Sequence, residues 1–185
     1  MSRLAELRRL SPVRPLTRAE AFRVAERQAE RLLSSAGISR PPVPESLITD
    51  LPDVKVDYWP DAPVSGSSHW TGTTWIIVVN ADEPLVRRRF SLAHELHHIL
   101  DHPHRDVLYK NQRPPNRFRP EETVANHFAA SLLMPRRWIR RAWTRDGITT
   151  VHELASLFEV SPTAMHRRLV YLGLIDDTLH WRMTA

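Results

Sequence analysis

Arg87-Arg88-Arg89-Phe90-Ser91-Leu92-Ala93-His94-Glu95-Leu96-His97-His98-Ile99-Leu100 is the stretch from which the rest of the chain is read. Inside it, His94-Glu95-Leu96-His97-His98 has the form H-E-x-x-H. Two residues four apart lie on one face of an α-helix, about one turn from each other. Both imidazoles can then reach a single zinc ion through bonds of ~2.0–2.1 Å. Glu95, adjacent to the first histidine, is placed to take a proton from a water on that ion. The bland reading is a solvated helix end that happens to carry histidines. Against it, Phe90, Leu92, Ala93, Leu96, Ile99 and Leu100 give the helix an apolar face, so it is buried on one side, as an enclosed metal requires.

The chain has 185 residues and no cysteine. Disulfides and thiolate ligands are thereby excluded, and a metal must sit on His, Asp or Glu. A catalytic zinc keeps three protein ligands and an open fourth position. The third ligand is sought on the next strong helix, Glu121 to Leu133, where Glu121, Glu122 and His127 are the candidates. Glu122 falls on the stripe of Ala125 and Ala129 and is preferred on helical phase. Glu121 is rotated ~100° away and is expected to face water; His127 also lies off the stripe.

Outward from these helices the periodicity changes. Thr17 with Glu20 has the form of a capping box, and Phe22, Ala25, Ala29, Leu32 and Leu33 recur at helical spacing, which predicts a helix over 18–35. Glu45 to Leu51 reads as a short helix before Pro52. Val54–Tyr58, Ser67–Thr71 and Trp75–Val79 read as strands, with Gly66 and Gly72 in the turns. Their short connections predict a small, mostly antiparallel sheet, with Trp75–Val79 as a possible edge for an added peptide strand. Pro84 to Leu100 is the motif helix, 101–120 a loop, and Arg136 to Trp143 a short helical piece. Thr150–Phe158 and Pro162–Leu172 form a helical pair resembling helix-turn-helix, with Ser161 as cap and Pro162 in the first helical position. A packed hairpin is favoured over DNA recognition through His166, Arg167 and Arg168. Residues 1–16, arginine-rich with two prolines, are expected to form a poorly ordered arm. The formal charge is +5 and nearly every cation is arginine, which allows a polyanionic partner without requiring one. No apolar run is long enough for a bilayer and no secretory signal is read, so the cytoplasm is the expected compartment, with no membrane partner.

Arg87–Leu100 is similar to the core of the ImmA/IrrE metallo-endopeptidases, whose pattern is an Arg-Phe lead-in followed by L-A-H-E-L-x-H. Glu122-Thr123-Val124-Ala125-Asn126-His127-Phe128-Ala129-Ala130-Ser131-Leu132-Leu133-Met134-Pro135 resembles the family's E-x-x-A-N-x-F-A-A-x-L-L-M-P block. The resemblance extends over about Ala19 to Ile175. It implies an α+β fold with a zincin-like helical core over 17–143 and a helical subdomain over 144–185. It also implies a gluzincin-like site: His94, His98 and Glu122 as ligands of one Zn2+, and Glu95 as the catalytic base. Mn2+ or Fe2+ also suits two histidines and a carboxylate. The implied substrate is a protein, a helix-turn-helix repressor in a mobile-element or stress-response circuit. The alternative is a non-catalytic, metal-containing regulator that binds DNA or a repressor. His97 departs from the family's usual glycine, and it is read as exposed or as a support near the metal. His102 extends the histidine stripe but would close the open position. Asn126 is read as orienting a ligand or capping a backbone group, and Tyr109, His127, His152 and several arginines as candidates for stabilising an oxyanion.

Overall fold

The N-terminal arm is not poorly ordered where it can be described: Ser2 caps a helix, α1 (Arg3–Arg8), through a bond to the Ala5 amide. Its Leu4 and Leu7 are buried and the Arg8 guanidinium donates to the Ile99 carbonyl at 2.8 Å. Two leucines three apart supply an apolar stripe, and covering it against the body of the protein outweighs the local arginine content. The computed structural model describes residues 2–112 and 119–176.

The elements that follow are α2 (Arg18–Ser35), α3 (Ser46–Thr49), β1 (Val54–Trp59), β2 (Gly66–Trp70), β3 (Trp75–Asn80), α4 (Leu85–Asp101), α5 (Arg105–Leu108), α6 (Pro120–Leu133), α7 (Arg136–Thr144), α8 (Val151–Phe158) and α9 (Pro162–Tyr171). The class is α+β. Thr17 and Glu20 form the expected reciprocal capping box at the start of α2. Part of the stretch expected as loop over 101–120 is helical: α5 buries Leu108, whose carbonyl accepts from the Leu16 amide at 2.9 Å. Residues 113–118 of that stretch, and 177–185 of the expected C-terminal subdomain, lie outside the described residues.

The sheet has the order β1-β3-β2. β2 and β3 form an antiparallel hairpin pair, whereas β1 runs parallel to β3. The sheet is therefore mixed rather than mostly antiparallel. The segment 60–65 carries the chain past the position of β3, which then enters between its predecessors. Trp75–Asn80 is accordingly the central strand, paired on both sides, and is not the edge the sequence suggested. This also explains why it is the most apolar strand, with Trp75, Ile77, Val78 and Val79 all buried.

Helix α6 lies between α2 and α4, and α4 packs in turn on β2 and β3. Alanines with no exposed surface line these contacts: Ala25 and Ala29 on α2, Ala93 on α4, Ala125 and Ala129 on α6. Small side chains let helix axes approach closely, which brings the facing sides of α4 and α6 together. At the far end, Arg168 of α9 donates from Nε to the Met134 carbonyl at 3.1 Å, and the buried Arg89 of α4 pairs with Glu159 at 3.0 Å. Among the described residues, no helix is long and apolar enough to cross a membrane.

Candidate metal centre

The second half of α4 carries His94 and His98 on one face, and their Nε2 atoms stand 2.9 Å apart. Glu122, in the first turn of α6, faces both: its Oε2 is 3.3 Å from His94 Nε2 and its Oε1 is 3.5 Å from His98 Nε2. These separations can be tested against a metal. Three ligand atoms at ~2.0–2.1 Å from one ion in tetrahedral arrangement stand about 3.3 Å from each other. The donor set and its spacing fit a divalent cation. Among the described residues, this is the group of His, Asp and Glu side chains that converges closely enough to hold one.

The surroundings orient these side chains. Asn126, one turn beyond Glu122 on α6, places Oδ1 3.0 Å from His94 Nδ1. This contact at Nδ1 fixes the ring so that His94 Nε2 faces Glu122 and His98. Hydrogen bonds from His94 and His98 hold the Glu122 carboxyl far below the ordinary carboxylate range, against the opposing effect of its burial. For His98 burial works against the charged form, but the bond and charge of Glu122, with Glu95 adding, raise its pKa overall. The bond between His98 and Glu122 thus marks the place where a cation would take over the positive charge.

Glu95 is 8% exposed and points toward the sheet rather than along the helix face of the two histidines. Its Oε2 accepts from the Ser68 hydroxyl of β2 at 2.8 Å. Gly66, the first residue of β2, makes room for this: a Cβ there would lie 3.1 Å from Glu95 Cγ and 3.3 Å from Ser91 Cβ. Neither Ser68 nor the close approach at Gly66 was foreseen. The available signal was a glycine at the edge of a strand pattern, which marks close backbone approach.

Several other expectations are corrected. His97 is not exposed: at 1% exposure it is enclosed between α4 and α6, with its ring 5.0 Å from Phe128 and Nδ1 3.6 Å from Asp101 Oδ2. Burial first, then the charges of the neighbouring histidines, lowers its pKa to about 4, with Asp101 opposing. Glu121 does not face water; Arg105 of α5 covers it with an ion pair of 2.7 Å. Tyr109 donates to Asp101, so its hydroxyl is committed away from the cluster. His127 bonds Glu26 at 3.0 Å and stacks on Phe22 at 4.0 Å. His152 is exposed on α8; His102, not favoured as a ligand, stands edge-on to Trp75, outside the converging group.

The model of the family described as Peptidase_M78, IrrE N-terminal-like domain, matches residues 53–170. No curated protein matches the chain. A solved structure titled "Mycobacterium tuberculosis transcriptional regulator" superposes with a TM-score of 0.64 at 16% identity, over 92% of this chain and 52% of that one. The fold is thus shared with a protein of which this chain spans about half the length.

Proposed function

From the chain's membership of the Peptidase_M78 family, the IrrE N-terminal-like domains, to which it belongs, we propose that it is a metal-dependent endopeptidase acting on a specific protein. The ligands are His94, His98 and Glu122, and the base is Glu95. The observation that carries the reading is the convergence of two histidine Nε2 atoms and one carboxylate within 3.5 Å of each other. Zn2+ is the ion this donor set favours, with Mn2+ or Fe2+ as substitutes. When bound, such an ion supplies Lewis acidity, polarising the scissile carbonyl and making water easier to deprotonate.

The chain's own residues do the rest. Glu95 takes the proton from the attacking water and returns it to the leaving amine. Ser68 holds one carboxylate oxygen of Glu95, so the other is presented to the water in a fixed direction. Asn126 holds His94 in one tautomer. The β2 edge, unpaired among the described residues, lies beside Glu95, and an extended substrate adding to that edge would place its backbone along the site. By the family resemblance the substrate is a helix-turn-helix repressor.

The test is Glu95→Gln. It is expected to keep the fold and one bound ion per chain while losing cleavage of a co-expressed repressor by about 10²-fold or more; wild-type cleavage should stop on chelation. Cleavage at the wild-type rate by this variant would overturn the mechanism. Binding of DNA or repressor with no chelator-sensitive cleavage would instead support the non-catalytic regulator.

A further inference from the structure

Residues of α2, α4, α6 and α9 line a cleft, open to solvent on one side, of about 660 Å³, within the ~300–1,000 Å³ typical of small-molecule sites. Its walls combine two kinds of surface. Phe22, Phe90, Met134 and Tyr171 are apolar or aromatic, while Arg87, Arg167 and Arg168 bring guanidinium groups. No acidic side chain is among the described residues that line it.

Arg168 is the unusual member. It is 4% exposed. Its Nε is spent on the Met134 carbonyl and its guanidinium carbon sits 5.5 Å from the Tyr171 ring centre, but Nη1 has no hydrogen-bond partner. No carboxylate forms an ion pair with it among the described residues; Glu26, whose charge raises the Arg168 pKa, is bonded instead to His127 at 3.0 Å and to the Tyr171 hydroxyl at 3.4 Å. Burial lowers the Arg168 pKa, with Glu26 opposing. A buried cation without a partnered anion is costly, and an anion supplied from solution relieves that cost. Two further features point the same way. Arg167 stands exposed at the rim. The first turn of α9, capped by Ser161, also lines the cavity and adds the positive end of its dipole.

We propose that this cavity binds a small organic carboxylate with an apolar body. The carboxylate lies on Arg168 and the start of α9, and the body lies against Phe22, Phe90 and Met134. One buried guanidinium matches one carboxylate, and the aromatic walls reward an apolar body that a bare inorganic anion lacks. Asn126, which bonds His94, lines the same cavity. An occupant therefore touches the group that orients a proposed metal ligand, and this last step alone rests on the metal reading above.

The test is calorimetric titration of the full chain with decanoate, phenylacetate and inorganic phosphate, with zinc and after chelation. Saturable one-to-one binding of at least one of the two acids, at least tenfold tighter than phosphate, is expected in both states. Arg168→Gln should weaken it tenfold or more. Because that variant also loses the tether to Met134, Ala130→Leu, which fills the cavity from α6, serves as the second variant and should abolish binding. Absence of binding by both acids, phosphate binding as tightly, or unchanged affinity in Ala130→Leu would overturn the proposal. Acid binding in a chain that takes up no zinc would sink the metal reading and leave this one standing.

Discussion

Ser68 touches Glu95 across 27 residues of sequence, and what it does can be separated from what Glu95 does. A hydrogen bond to a charged acceptor contributes about 1.5–3 kcal/mol. Ser68→Ala is therefore expected to leave the bound ion in place and lower kcat by about tenfold or more, read from steady-state cleavage beside a metal assay. Loss of metal with kcat per ion unchanged would contradict the role given to Ser68. His97 makes a pH prediction. Its folded pKa is about 4 against ~6.5 in an unfolded chain, so below 6.5 the unfolded state binds the extra proton. The stability of the chelated protein should then be complete above pH ~6.5 and decline as pH falls toward 4, by on the order of 3 kcal/mol. His97→Met should flatten that decline in urea unfolding measured across the window. The convergence of His94, His98 and Glu122 was legible because helical phase puts them on facing stripes, and the two helices need only pack. Ser68 was not legible: no local pattern in a chain reveals which strand residue meets a distant carboxylate. The exposed reading of His97 failed because its own helix does not show what covers it: α6, with Phe128, is what encloses it.

At the scale of elements, the contact between β2 and α4 decides where Glu95 stands. Gly66 is the point of closest approach, 3.1 Å from its would-be Cβ to Glu95 Cγ. Gly66→Val should force the strand and helix apart or displace Glu95. Overpacking of this kind costs about 1–3 kcal/mol. The expected result is a lowered urea midpoint together with a drop in cleavage, while zinc stoichiometry holds because the atoms that Gly66 meets belong to Glu95 and Ser91, not to His94 or His98. Full activity at wild-type stability would show that the strand does not press on the helix there. The helix bounds of α2 and the extent of β1 and β3 follow from caps and alternation, which are local. Strand order does not. Whether β1 lies beside β2 or beyond β3 depends on which faces α4 covers, and the pairing of Val54 with Trp75 is invisible in either strand alone. Glu121 was misplaced for a similar reason, since its cover, Arg105, belongs to a short helix in a proline-rich stretch that reads as loop.

Across the whole molecule, the helical layer exists to hold two faces in register. α6 is gripped by α2 on one side and α4 on the other, α1 covers the end of α4 through Arg8 and Ile99, and α9 is tied to the end of α6 through Met134. The apolar stripes of these helices were legible from spacing; the docking of α1 was not, because two leucines in an arginine-rich segment carry little periodic signal. The architecture makes sense if its product is a rigid pair of imidazoles with an acid opposite. Crystals grown with zinc and measured at the zinc absorption edge test this directly. The account predicts one strong anomalous peak per chain, ~2.0–2.2 Å from His94 Nε2, His98 Nε2 and a Glu122 oxygen, absent in His98→Ala. A stoichiometric peak bonded to other residues, or none at saturating zinc, would contradict it.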